Sequence, residues 1–224
     1  MIDQIPFNFN DTAAPSLIVS SENELAIKWI KTWPNWPTPS RSLNIFGPTA
    51  SGKSSLGRLH CQNSGARILT SLINWYPEEI KENHLILDDV VVSENWSEEA
   101  LFFLYQKVLG NSGTILFISE DPISSMAWRL NDLRSRLRSV SAQEIFPLNE
   151  NSIKPLLEYH FSQRQCIVPN SVLNFLLPRV RREYSYIQRL VLEIDMLSLK
   201  LKQSVSIGLV KQVLYQMSKD SIKG

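Results

Sequence analysis

Between Glu22 and Trp33 the apolar residues Leu25, Ala26, Trp29, Ile30 and Trp33 recur at three- and four-residue spacing, the pattern of an amphipathic helix. The segment PNWPTPSRS then breaks it. Short apolar runs follow in alternation with helical patterns: SLNIF before KSSLGRLHC, ARIL before a mixed stretch, HLILDD before SEEALFFLYQKVL, TILFIS before LNDLRSRL, and QEIF last. Five short strands joined by crossovers predict an α/β fold with a mostly parallel sheet covered on both faces. Gly110 falls where a left-handed C-terminal cap of the third helix is expected. Beyond Pro147 only helical patterns remain, in SIKPLLEYHF, NSVLNFLLPRV, YSYIQRLVLEIDMLSLKL and SIGLVKQVLYQM, which predicts a small all-helical second domain. The start of the chain is polar with scattered Phe and Pro and shows neither period. The expected layout is an extended tail over 1–18, an α/β core over 19–147 and a helical domain over 148–224.

A hydrophobic fraction of 43% over 224 residues is enough to bury a core, so most of the chain is expected to be ordered. With 23 Lys plus Arg against 22 Asp plus Glu, the net charge of +1 provides no general field for nucleic acid. Cys61 and Cys166 lie far apart and form no CxxC pair, which argues against a zinc site or a disulfide framework and fits a reduced cytoplasm. The start, MIDQIPFNFN, lacks the basic and apolar regions of a signal peptide, and every apolar run is too short to cross a bilayer. A cytoplasmic protein without membrane partners is the expectation.

The run GPTASGKSS, Gly47 to Ser55, puts Gly47, Gly52, Lys53 and Ser54 in the G-x-x-x-x-G-K-[ST] pattern between a strand and a helix. The intervening Pro48, Thr49, Ala50 and Ser51, with Ser55 after them, complete a loop whose amides face phosphates while the helix start adds its positive end. Lys53 is expected to neutralise the outer phosphates and Ser54 to ligate Mg²⁺. About thirty residues later LILDD ends a buried strand in Asp88 and Asp89. Magnesium takes oxygen ligands and keeps waters, so Asp88 is expected to hold it through a water while Asp89 faces the attacking nucleophile. Many P-loop hydrolases carry Glu where this chain has the shorter Asp89, so weak intrinsic hydrolysis of ATP, or none, is expected.

Two arginines bear on the class. Arg136, in LRSRLRS, falls late in the helix after the fourth strand, and Arg189, in YIQRLV, falls on the longest helix of the second domain. An arginine reaching across a subunit boundary stabilises the charge of a departing phosphate, whereas one from the chain's own lid senses the bound nucleotide. Spacing leaves other readings open: Arg134, Arg136 and Arg138 can form a solvated helix face, and Arg189 can pair with Glu193 at i, i+4.

The order GPTASGKS, LILDD, TILFIS-EDP, LRSRL and YIQRL, followed by a helical lid, resembles the DnaA-related AAA+ family and within it the short Hda-type regulators, over nearly the whole chain. Where the initiator DnaA has Ser-Arg-Phe, this chain has Ser135-Arg136-Leu137, and the resemblance implies that Arg136 is an arginine finger acting in trans. Where the lid helix of the family has Asn-Arg, this chain has Gln188-Arg189, which implies a second sensor at Arg189. ENELA, Glu22 to Ala26, resembles the segment beside the adenine ring. After the fourth strand the family commonly has a polar sensor such as Asp, and Ser119, Glu120 and Asp121 all compete for that register. The initiator continues past its lid into a helix-turn-helix domain, so direct sequence-specific DNA binding is not expected here.

Gln4-Ile5-Pro6-Phe7-Asn8-Phe9 is similar to the QxxLxF peptide by which bacterial replication proteins dock on the sliding clamp, the polymerase β subunit, with Phe7 where Leu is usual. Pro6 disfavours helix, and Phe7 with Phe9 can anchor an extended peptide in an apolar pocket. The resemblance implies an adenine-nucleotide-binding regulator, with ADP or ATP and Mg²⁺ as cofactors and the clamp and DnaA as partners, that promotes hydrolysis of initiator-bound ATP. A helicase loader or DNA-remodelling ATPase is the alternative, and homo-oligomerisation stays open.

Overall fold

The computed structural model describes residues 19–73 and 80–223. It divides into two compact units, 1–146 and 147–224. The proposed clamp peptide, Gln4 to Phe9, and part of the mixed stretch after ARIL lie outside the described residues.

In the first unit the elements run α1 (Glu24–Lys31), β1 (Ser42–Phe46), α2 (Lys53–Ser64), β2 (Arg67–Leu69), β3 (His84–Leu87), α3 (Glu98–Gly110), β4 (Thr114–Ser119), α4 (Asn131–Leu137) and β5 (Ser141–Glu144). The five strands form one sheet in the order β2-β3-β4-β1-β5, and every pairing is parallel. Strand periodicity explains why the central strands are apolar throughout. On β3 and β4, Leu85, Leu87, Ile115 and Phe117 pack on one side with Leu104, Leu133 and Leu137. The alternate residues Ile86, Leu116 and Ile118 pack on the other with Ile27, Leu43, Ile45 and Leu56.

Three local expectations shift. The first helix is shorter than its apolar pattern and stops at Lys31, because Thr32 and Trp33 turn back onto Trp29 and Ile30 carbonyls ahead of Pro34. Gly110 is the last residue of α3 and not a left-handed cap. The left-handed residue is Ser112 (φ 58°), and the tight position is Gly113, where a Cβ would come within 1.9 Å of the Asn83 carbonyl oxygen. The fifth strand spans Ser141–Glu144 and not QEIF, since its register with Leu43–Phe46 is spent by Glu144. Ile145 still donates its N–H to Phe46 O at 2.7 Å and buries its side chain fully.

The second unit is helical: α5 (Glu150–Gln163), α6 (Asn170–Leu176), α7 (Tyr184–Leu201) and α8 (Ile207–Lys223). Asn149 caps α5 through Oδ1, which accepts from the N–H groups of Asn151 and Ser152. On α7 the buried residues Ile187, Leu190, Val191 and Ile194 follow the helical period and meet Leu157, Phe161, Leu176, Val210 and Val213 in a core of their own.

Candidate nucleotide site

In a parallel sheet, ligands are met at the carboxyl ends of the strands. Three such ends are neighbours here: Gly47 follows β1, Asp88 and Asp89 follow β3, and Glu120 follows β4 between them.

The loop from Gly47 to Gly52 is shaped by three residues with positive φ: Gly47 at 146°, Ala50 at 63° and Gly52 at 92°. Gly47 has a second reason to be glycine, because a Cβ there would lie 2.4 Å from the Ile145 carbonyl oxygen. Its N–H donates to Glu120 O at 3.1 Å, which ties the loop to the end of β4. Gly52 stands at the N-cap of α2 without a side chain to satisfy the first helical N–H groups, so these remain suited to an anion. The hydroxyl of Ser51 is buried and has no hydrogen-bond partner among the described residues.

Lys53 opens α2 with its side chain buried. Its ammonium donates to the carbonyls of Gly47 and Pro48, both at 2.8 Å, and so folds back across its own loop. Burial holds the ammonium below its usual range, and the carboxylates of Glu120, Asp88 and Asp89 push in the opposite direction. Lys53 therefore lies within the field of all three acids. A polyphosphate supplies stronger acceptors for the same charge.

Ser54, one residue on, donates its hydroxyl to Asp88 Oδ1 at 3.1 Å. Asp88 is half-buried and fixed by its own N–H, which donates to Leu69 O at 2.8 Å. A hydroxyl beside a carboxylate, both only half-buried, is a donor set that suits Mg²⁺. The orphaned Ser51 hydroxyl, the amide-lined loop and the Ser54–Asp88 pair together fit a magnesium-bound nucleotide. Asp89 is exposed and adopts φ 61°, and its carbonyl accepts from Trp96 Nε1 at 3.0 Å.

Hydrogen bonds fix the side chains of Ser119 and Glu120 after β4. Ser119 is buried, donates its hydroxyl to Asp121 O at 2.6 Å and accepts from Asn44 Nδ2 at 2.9 Å. The side chain that turns to the phosphate loop is Glu120, which accepts a hydrogen bond from the Thr49 hydroxyl. Asn44, a lone polar residue in SLNIF, carries no signal of this role in the sequence. Its Oδ1 also accepts from Ile123 N at 3.0 Å.

Arg136 lies in the last turn of α4, exposed, with its guanidinium 5.4 Å from the centre of the Phe102 ring. Arg189 lies on the exposed side of α7 in the second unit. Glu22 and Asn23 are buried at the start of α1, and the Glu22 carbonyl accepts from Phe146 N at 3.1 Å. No helix among the described residues is long and apolar enough to cross a membrane.

Residues 150–214 match the family model of the Hda lid domain. An uncharacterized protein of Haemophilus influenzae is 29% identical over 189 residues, which is 76% of this chain and 80% of that protein. In fold, the chain is similar to domain III of the Thermotoga maritima replication initiation protein DnaA, with a TM-score of 0.73 at 17% identity over 89% of this chain and 94% of that one. The AMPPCP-bound DnaA of Aquifex aeolicus aligns with a TM-score of 0.63 at 16% identity, over 87% of this chain and 68% of that one.

Proposed function

We propose, for a chain that is Hda-like in its lid and DnaA-related in its AAA+ fold, that it is a cytoplasmic regulator of replication initiation that switches DnaA off. The observation that carries this reading is an Hda-type lid joined in one chain to a complete phosphate loop. The amides of 47–52 and Lys53 hold the phosphates of ADP or ATP, and Ser54 with Asp88 holds Mg²⁺. The bound nucleotide is a structural ligand, sensed from the lid by Arg189.

The chain's own hydrolysis is weak or absent, because the short Asp89 stands where a longer carboxylate positions water. Its effect is exerted in trans. Residues Gln4, Ile5, Pro6, Phe7 and Phe9 dock on the sliding clamp, which raises the local concentration of the regulator beside newly replicated DNA. Arg136 then enters the nucleotide site of ATP-bound DnaA and stabilises the charge on the leaving phosphate. A finger of this kind is worth ~10³–10⁵ in rate, or about 4–7 kcal/mol of barrier.

The test is hydrolysis of initiator-bound ATP with the clamp loaded on DNA, using the unaltered chain, Arg136→Ala, and a chain lacking residues 4–9. Both changes are expected to abolish stimulation. Normal stimulation by both overturns the proposal.

A further inference from the structure

The same face of α3 grips α4 at both ends. Glu98, in the first turn of α3, accepts hydrogen bonds from the N–H groups of Arg129 (3.0 Å) and Leu130 (2.6 Å), the two residues immediately before α4. Phe102 lies one turn later on that face, and its ring meets the guanidinium of Arg136 near the far end of α4. Along α4 Leu133 and Leu137 are fully buried, so the backbone of the helix is fixed against the core. Phe102 is half-buried and packs on the same core cluster, which limits how far its ring can move.

How the guanidinium is held matters to what it can do. Other arginines spend their donors within the chain: Arg134 on Asn131 Oδ1, Arg164 on Asp195 and Arg182 on Glu150. Among the described residues Arg136 has no ion pair and donates no side-chain hydrogen bond. A ring attracts the face of the guanidinium and leaves its in-plane N–H groups available for phosphate oxygens, which an ion pair would occupy.

We propose that Phe102 is a positioning residue for Arg136, presetting the guanidinium over its ring with the donors unspent before a partner's phosphate arrives. This rests on the reading of Arg136 as a finger. A side chain already held near its working geometry loses less freedom on reaching the transition state.

Two measurements test it. In the isolated protein, the reaction of Arg136 with phenylglyoxal, followed by peptide mass mapping, is expected to be about two- to five-fold faster in Phe102→Leu and unchanged in Phe102→Tyr. In single-turnover hydrolysis of initiator-bound ATP on clamp-loaded DNA, Phe102→Leu is expected to lower the maximal rate by a similar factor. Its half-saturating concentration and ADP affinity should stay as in the unaltered chain, and Phe102→Tyr should retain the rate. Equal behaviour of Phe102→Leu and the unaltered chain in both measurements overturns the proposal, as does an equal fall in the Leu and Tyr variants. Full stimulation by Arg136→Ala overturns the finger itself, and the modification rates then still report whether the ring holds the arginine.

Discussion

Asn44 Nδ2 donates a 2.9 Å hydrogen bond to Ser119 Oγ, joining the two central strands just below the phosphate loop. The same side chain accepts from Ile123 N, and Asn44 is wholly buried. Its removal leaves the buried Ile123 N–H without its acceptor, which is costly, and takes one of two partners from the Ser119 hydroxyl, which keeps its bond to Asp121 O. Asn44→Ala is expected to destabilise the chain by about 2–4 kcal/mol in chemical denaturation. A loss below about 0.5 kcal/mol contradicts the role given to this amide.

The pairing of Ser54 with Asp88 leads to a prediction about metal dependence. Asp88→Asn keeps an acceptor for the Ser54 hydroxyl but removes the charge that Mg²⁺ requires. The strengthening of ADP binding by Mg²⁺ should shrink about ten-fold or more, while binding in EDTA stays the same or improves. Calorimetric titrations with and without the metal read both quantities, and an undiminished Mg²⁺ effect removes Asp88 from the site.

Asp89 holds φ 61°, a conformation that costs most L residues about 1 kcal/mol, with its carbonyl pinned by Trp96 Nε1. Asp89→Gly is expected to leave stability unchanged or raise it by up to about 1 kcal/mol while lowering any residual intrinsic ATPase activity. A clear fall in the thermal midpoint would show that the carboxylate, not the backbone strain, dominates at this position.

His60 links the helix after the phosphate loop to pH. Buried between the rings of Trp33 and Trp36, at 5.6 and 5.2 Å between centroids, its imidazole is held down at about 4, by burial first and His84 second. The unfolded chain takes up this proton near pH 6.5 and the folded chain only near 4. The contribution is therefore flat above pH 6.5, and stability falls as pH drops from there to about 4, by up to about 3 kcal/mol in all. Replacing His60 with Gln should flatten the difference between denaturation curves at pH 7 and pH 5. Identical pH dependence in the two proteins contradicts the assignment.

How much of this was legible beforehand follows from the range of each signal. The strand-loop-helix at 42–64 and the acids after β3 are local patterns, and the structure sets them side by side. Lone polar residues carry no such signal. Asn44 gains its role from a partner 75 residues away, and the histidine-tryptophan cluster around His60 arises from α2, β3 and the proline-rich segment meeting. The places of Ser119 and Glu120 after β4 likewise come from tertiary contacts: Ser119 accepts from Asn44, and Glu120 accepts from Thr49. Phe102 is one apolar residue among several in SEEALFFLYQKVL, and only its contact with Arg136 of α4 sets it apart.

The grip of the 47–55 loop on a nucleotide is tested most directly by titrating purified protein with ADP and with ATP in the presence of Mg²⁺, beside Lys53→Ala. Saturable binding of at least one nucleotide by the unaltered chain, lost or much weakened in the variant, is the expected result. No binding of either nucleotide, or equal binding by both proteins, would contradict the account at its root.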